Sequence, residues 1–153
     1  MSTLRAVDLI RTAATNISGL SFITGTRLLN NIEADNITLP ICILDRPIRI
    51  PVEVAAGGRM IEQFECTVFF FDKSELEYQF DLHEPIVDSM KLNANQFIVN
   101  LNSFSDYVLR IEGVVITELI NALDSNLTGT QLTFTMQLIP DQEQVCPVGT
   151  YTP

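Results

Sequence analysis

The sequence predicts an α+β domain: a mostly antiparallel sheet with two helices packed on one of its faces. Residues 130–139 alternate between apolar and polar side chains, as expected for a half-buried strand. Residues 4–17 and 86–101 repeat their apolar side chains every three or four positions, which is typical of amphipathic helices. The segments follow the order helix, several strands, helix and strand pair. This order favours antiparallel neighbours with both helices on one side of the sheet.

The first predicted helix lies at the start of the chain. Its apolar positions are Leu4, Val7, Ile10, Ala14 and Ile17. Gly19 comes just beyond them, and glycine commonly follows the last residue of a helix. A short strand is predicted at residues 20–23, with a turn after it at Gly25.

A long hairpin is predicted from residue 39 to residue 71. Residues 39–44 and 48–54 are extended pieces, and residues 60–71 form the returning strand. Its buried face carries Phe64, Cys66, Val68 and Phe70. The glycine-rich connection 55–58 is predicted to be the hairpin tip. Proline lacks an amide donor, so the first half of the hairpin is expected at a sheet edge or outside the sheet. The prolines concerned are Pro40, Pro47 and Pro51.

The second helix follows an acidic stretch of the chain. Asp81 and Glu84 resemble a capping box that would start it, and Pro85 would lie in its first turn. The helix is expected to run to about residue 100. Its buried face is predicted at Ile86, Met90, Ala94, Phe97 and Leu101.

The last predicted elements are a strand at 108–120 and its partner at 130–139, joined through residues 124–129. Residues 140–153 contain prolines and show no periodicity. We therefore expect one α+β domain over residues 1–139 and a C-terminal extension that contacts neighbouring molecules. A single domain is the normal content of a chain of 153 residues with 46% hydrophobic side chains.

Charge is distributed unevenly along the chain. Residues 1–59 carry six basic and five acidic side chains, whereas residues 60–153 carry three basic and fourteen acidic ones, a net charge of −11. Binding to nucleic acid requires clustered lysine and arginine to contact phosphates, so tight DNA or RNA binding is disfavoured. An acidic surface that DNA passes without adhering to is compatible with this composition.

The sequence contains no recognisable catalytic, metal or cofactor site. His83 is the only histidine and has no neighbouring ligands at zinc-site spacing, so a polar residue in a helical turn is the favoured interpretation. Gly57, Gly58 and Arg59 lack the phosphate-loop pattern and favour a turn. Three cysteines without a CxxC pair are typical of a reducing compartment. No apolar run reaches the roughly 20 residues of a membrane helix, so a soluble protein made in the cytoplasm is expected.

Three surfaces are predicted to contact other subunits. The first is the uncharged face of the strand 130–139, at Thr133, Thr135 and Gln137. An uncharged strand invites pairing unless another strand or a partner covers it. The second is the loop 73–80, which carries the large apolar residues Leu76, Tyr78 and Phe80. The third is the tail, where the apolar residues are too isolated to form a core: Val145, Val148 and Tyr151.

Taken together, these features resemble the tail-terminator or tail-completion proteins of tailed bacteriophages. The matching features are the opening helix around residues 8–11, the hairpin from Pro40 to Phe71, and the acidic lead into the helix at 81–101. The closing strand pair contains the closest local match, Leu127-Thr128-Gly129-Thr130-Gln131-Leu132-Thr133-Phe134. The resemblance covers most of the chain and rests mainly on the order of its elements.

The resemblance implies a structural virion protein with no enzymatic activity and no cofactor. Members of this family form closed rings, typically hexameric, that cap the tail tube and join it to the head. The implied partners are therefore further copies of the chain and the neighbouring tail-tube and connector proteins, in the tail or neck of the virion. DNA would only pass through the ring without specific binding. The charge distribution places three acids as candidates for the channel wall: Glu75, Glu77 and Asp124.

Two alternatives remain open on the sequence. One is a small-ligand binder or enzyme on a ferredoxin-like or similar α+β scaffold, which predicts a monomer or dimer with an apolar pocket. The other is a non-viral adaptor that binds one protein through the face of residues 131–137. The oligomeric state separates these alternatives from the ring.

Overall fold

A computed structural model describes residues 3–26, 38–46, 48–73, 80–122 and 127–139. These residues form two helices and six strands, in the order α1 (Thr3–Thr15), β1 (Ser21–Thr26), β2 (Ile41–Arg46), β3 (Val52–Val54), β4 (Met60–Lys73), α2 (Phe80–Asn102), β5 (Val108–Ala122) and β6 (Leu127–Leu138). Neither helix is long and apolar enough to cross a membrane, within the part of the chain described.

The sheet has the strand order β1-β2-β4-β6-β5, and β3 runs beside the first residues of β4. β1 and β2 are parallel, while the other described strand pairs are antiparallel. The predicted α+β fold with a mostly antiparallel sheet is confirmed. β6, which the sequence predicts as a half-buried strand, lies between β4 and β5. Both of its edges are therefore covered by strands of the same chain.

The predicted hairpin is confirmed for its described residues, with Pro47 outside them. Ile41 lies opposite Phe71 at its base, and Val54 lies opposite Met60 near its tip. The amide of Gly58 donates to the carbonyl of Ala55 at 3.2 Å, which closes the turn at the predicted position. The expectation that this segment lies at a sheet edge is correct for β3 but wrong for β2. β2 begins directly after Pro40 and is paired on both sides, with β1 and β4.

Both helices pack on the same face of the sheet, as predicted. The alternate strand residues on that face are buried: Phe64, Cys66, Val68, Phe70, Leu132, Phe134, Met136 and Leu138. The ring of Phe97 on α2 has its centroid 5.6 Å from that of Phe70 and 5.9 Å from that of Phe134. The side-chain amide of Asn100 donates to the carbonyl of Ala13 at 3.0 Å, which connects α2 to α1. One aromatic side chain thus joins α2 to the two central strands.

Three predicted boundaries are wrong. β1 runs from Ser21 to Thr26, so Gly25, which was predicted to lie in the turn after this strand, is part of it. α2 begins at Phe80, so Pro85 is its sixth residue and Asp81 is not the residue before the helix. β6 begins at Leu127, so the last part of the predicted connection 124–129 belongs to the strand. Gly129 explains this extension, because a Cβ there would overlap the carbonyl oxygen of Phe70 and lie 3.1 Å from Cγ of Met90. The missing side chain lets the start of β6 pack between β4 and α2.

His83 lies in the core between α2 and β6. It is 2% exposed, and its Nδ1 lies 3.4 Å from the hydroxyl oxygen of Thr128, which is also buried. Two turns further along α2, Thr130 Oγ1 donates to the carbonyl of Met90 at 3.4 Å. These polar groups hold the start of β6 against α2 and explain why a histidine is buried in an apolar core.

Candidate functional site

The face of the sheet opposite the helices carries the predicted contact residues of β6. Side chains alternate along a strand, so the residues between the buried positions of β6 point away from the helices. We call this side the helix-free face, since neither described helix packs on it. Thr133 lies opposite Thr67 of β4 on one side and Val115 of β5 on the other. These three residues form a row across the middle of the sheet.

The middle of the helix-free face is half-exposed and uncharged. Thr67, Thr133 and Thr135 are each partly buried, whereas Val115 is 54% exposed and its neighbour Val114 is 44% exposed. Threonine hydroxyls are neutral and short, so covering them costs far less free energy than covering a charge. This surface therefore has the composition of the inner part of a protein interface, which is depleted in lysine and glutamate.

A bulge in β5 brings Val115 to this face. The register of β5 against β6 shifts between Glu112 and Val115, and Gly113 between them has a φ of +65°. Because of the extra residue, Ile111 and Ile116 both pack against the core although they are five positions apart in an otherwise alternating strand. Val115 therefore lies on the same face as Thr67 and Thr133. The sequence gives no sign of the bulge beyond the presence of Gly113.

Opposite charges border the neutral middle on both sides. Arg49 Nη1 lies 3.3 Å from Glu65 Oε2 beside β4, and Arg110 Nε lies 3.9 Å from Glu112 Oε2 on β5. All four side chains are well exposed, so each pair contributes only about 0–1 kcal/mol to stability. Their main effect is to give each border one cation and one anion, which a partner surface of either sign can contact.

Gln137 differs from the two predicted threonines. It is 7% exposed, and its Oε1 accepts a hydrogen bond of 3.1 Å from Arg110 Nη2. The expectation that Gln137 presents its side chain to a neighbour therefore needs correction, because the accessible group at this position is the guanidinium of Arg110. The cause is a contact between residues 27 positions apart in sequence, which strand periodicity does not reveal.

An open groove of about 790 Å³ crosses this part of the sheet. Its lining includes Asp45, Arg49, Glu65, Thr67, Thr133 and Thr135. Sites for small molecules are usually enclosed and mostly apolar, with a few converging polar groups. This groove is wide, shallow and predominantly polar, so a protein segment fits it better than a small ligand. At the opposite end of the helix-free face the apolar residues are buried: Ile41, Ile43, Phe71 and Leu127.

The other predicted contact residues lie outside the described part of the chain. These are Leu76 and Tyr78 of the loop 73–80, the tail residues Val145, Val148 and Tyr151, and the channel candidates Glu75, Glu77 and Asp124. Phe80 opens α2, but its side chain is also outside the described set. The structure thus brings together Thr133 and Thr135 and adds Thr67 and Val115, which were not predicted as contact residues.

The two described cysteines are buried thiols. Cys42 is 0% exposed and Cys66 is 2% exposed. Burial raises the pKa of the Cys66 thiol to about 12 and raises the pKa of Cys42 well above its ordinary value. A thiol that keeps its proton is a poor nucleophile and a poor metal ligand. Among the described residues, no group of three or more potential metal ligands lies close together.

A scan against models of known protein families finds no match for this chain, and a search of curated protein sequences finds no similar protein. Function is therefore inferred from the helix-free face and from the order of the elements.

Proposed function

We propose that this chain is a structural subunit of a tailed-phage particle, which forms a ring at the head-proximal end of the tail through which DNA passes. The observation that carries the proposal is the half-exposed, uncharged row of Thr67, Thr133 and Val115 on the helix-free face. We infer that this face is the contact surface of the subunit.

The physical argument concerns what an open sheet face requires. A sheet that is exposed on one side normally carries charged and strongly polar side chains there. The middle of the helix-free face carries threonine and valine instead, and its charges lie at the borders. A centre depleted in charged residues with a polar rim is the usual arrangement of a protein–protein interface. A neighbouring protein that covers this face would remove Val114 and Val115 from water.

The element order supports the choice of a phage ring among protein assemblies. The opening helix, the hairpin from β2 to β4, the helix α2 and the closing pair β5–β6 are the features in which the chain resembles tail-terminator proteins. A ring of identical subunits is built from heterologous contacts, in which each subunit uses two different surfaces. The helix-free face supplies one such surface.

The electron microscope provides the test of ring formation. Purified protein examined in negative stain is expected to show closed rings of uniform diameter with a central opening. If only particles of monomer size are seen even at high protein concentration, the proposal is overturned. Open filaments would overturn the ring and leave only a self-associating protein.

The channel wall forms a separate part of the proposal. We place Glu75, Glu77 and Asp124 toward the central opening, because acidic side chains repel phosphates and let DNA slide. Rings with all three acids replaced by lysine are expected to retain DNA in a gel-shift assay, whereas wild-type rings do not. The matched control replaces Glu53, Glu62 and Glu84 with lysine and produces the same change in net charge. Equal retention by both triple variants would contradict this placement.

Ligand binding is the rival function that one observation favours, namely the groove beside Asp45 and Arg49. A monomer whose melting temperature rises on addition of a small charged metabolite would support that rival. The ring proposal predicts no such rise at millimolar ligand, because the groove would lie within a subunit contact and be closed to small molecules.

A further inference from the structure

The outer side of α2 carries an apolar stripe that no described residue covers. Leu92 is 68% exposed and Val99 is 62% exposed. They are seven residues apart, which is two helical turns, so they lie one above the other on the same side of the helix. The residues that bury α2 point in the opposite direction: His83, Val87, Met90, Ala94, Phe97 and Leu101. Two exposed apolar residues therefore lie on the side of α2 away from the core, with the exposed Asn95 and Gln96 in the turn between them.

The size of this stripe matches the neutral row of the helix-free face. Two turns of helix separate Leu92 from Val99 by about 10.5 Å. The row of Thr67, Thr133 and Val115 crosses three neighbouring strands and so spans about 10 Å. A sheet face readily receives a helix, as the opposite face of this sheet does with α2 of the same chain.

The charges beside the stripe also fit. Asp88 and Lys91 lie on one side of Leu92, and neither forms an ion pair with another described residue. The helix-free face has one cation and one anion on each border, so an acid and a base on the incoming helix both find a partner of opposite sign. Such exposed pairs add little free energy, and they are compatible with the contact in either orientation.

We propose that α2 of one copy of this chain packs, through Leu92 and Val99, on the helix-free face of the next copy. This inference rests on the proposed ring and names the second surface of its subunit contact. The contact joins two different surfaces, as a ring requires, because each copy offers its helix to one neighbour and its sheet to the other. Every sheet in the ring is then covered by its own helices on one side and by a neighbour's helix on the other.

Mixing two defective variants tests the pairing of these surfaces. The sheet variant carries Thr133→Lys and Thr135→Lys, and the helix variant carries Leu92→Glu and Val99→Glu. Each variant alone is expected to be monomeric, since each has lost one of its two surfaces. A mixture of the two retains one intact helix and one intact sheet face. It is expected to form a heterodimer of one chain of each kind, and no larger species, in native mass spectrometry with one variant isotopically labelled.

A matched control separates the stripe from exposed apolar residues in general. Val54 is 70% exposed and Met60 is 56% exposed on the β3–β4 hairpin. Replacing both with glutamate makes the same chemical change at similar exposure and is expected to leave assembly as in the wild type. Loss of assembly in this control as well would overturn the assignment to α2.

The outcomes distinguish this inference from the proposed function. A wild-type chain that stays monomeric overturns both. A wild type that assembles, a sheet variant that does not and a helix variant that does would overturn the α2 contact alone. Homodimers of the helix variant would also overturn it, because they require the sheet face to pair with itself.

Discussion

Thr133 of β6 lies directly opposite Thr67 of β4, at the centre of the one sheet face that no described helix covers. The two residues are 66 positions apart in the sequence, with α2 and β5 between their strands, so their pairing is a product of the fold. Together they give a sheet surface whose middle is neutral and whose borders are charged. The proposals above depend on this arrangement.

The sheet variant Thr133→Lys, Thr135→Lys is expected to fold. Thr135 lies opposite Glu65 and Glu112, so a lysine at this position has a carboxylate on each neighbouring strand. Lysine is less suited to strands than threonine, by amounts within about 1 kcal/mol per residue. We expect the free energy of unfolding to fall by less than about 2 kcal/mol in urea denaturation while assembly is lost. The control is Thr12→Lys, Thr15→Lys, two exposed threonines on α1, which should keep both stability and assembly. An unfolded sheet variant would contradict the prediction.

Gly129→Ala is expected to destabilise the protein by about 1–3 kcal/mol, the usual range for overpacking a tight site. The added methyl group would overlap the Phe70 carbonyl oxygen and press on Met90 at 3.1 Å, so β6 must move away from β4 or α2. Gly25→Ala serves as the control, because a Cβ there meets nothing within 4 Å. Thermal or urea denaturation measures both. Equal stability of the two variants would refute the tight packing at Gly129.

Arg110→Met is expected to lower stability by about 1–3 kcal/mol, because it removes the donor that Gln137 uses while leaving that amide oxygen buried. Arg49→Met removes an exposed pair with Glu65 and should cost no more than about 1 kcal/mol. The two variants make the same chemical change on the two borders of the helix-free face. A loss for Arg110→Met no larger than that for Arg49→Met, measured by urea denaturation, would contradict the dependence of Gln137 on Arg110.

Stability is expected to decrease at alkaline pH because of the buried thiols. Folding raises the pKa of Cys66 from an ordinary 9.0 to about 12. The folded protein therefore keeps a proton that the unfolded chain loses above pH 9. The contribution of this group is fully present below the unfolded pKa and is lost as the pH rises from about 9 towards 12, by about 1.4 kcal/mol per pH unit.

The variant Cys66→Ala isolates this effect. Its stability is expected to be lower than that of the wild type at pH 8, because a buried side chain is shortened, and to fall less steeply between pH 9 and pH 10.5 in guanidinium denaturation. Parallel curves for the two proteins in this range would mean that the Cys66 thiol ionises as freely in the folded state as in the unfolded state.

Periodicity within single segments predicted most of the fold. The alternation in β6 and the three- and four-residue spacing in α2 identified Leu132, Phe134 and Phe97 as core residues, because each pattern reflects burial of one side of one element. The hairpin from β2 to β4 was predictable for the same reason, with the glycines marking its turn. These features depend on residues that are close together in the sequence.

Features that depend on distant residues were not predictable in this way. The parallel pairing of β1 with β2 depends on how two separated segments meet, and the strand character of residues 127–129 depends on contacts with Phe70 and α2. Val115 reaches the helix-free face only through a bulge, and Gln137 is buried and accepts a hydrogen bond from an arginine of the neighbouring strand. Two of the four residues of the candidate surface, Thr67 and Val115, could therefore be identified only from the structure.

The molar mass of the purified wild-type chain in solution tests the central claim most directly. Light scattering across a range of protein concentrations is expected to give a single species with a mass near six times that of the 17.1 kDa chain. A mass that stays at 17.1 kDa at every concentration would contradict the account, because the helix-free face would then remain in contact with water.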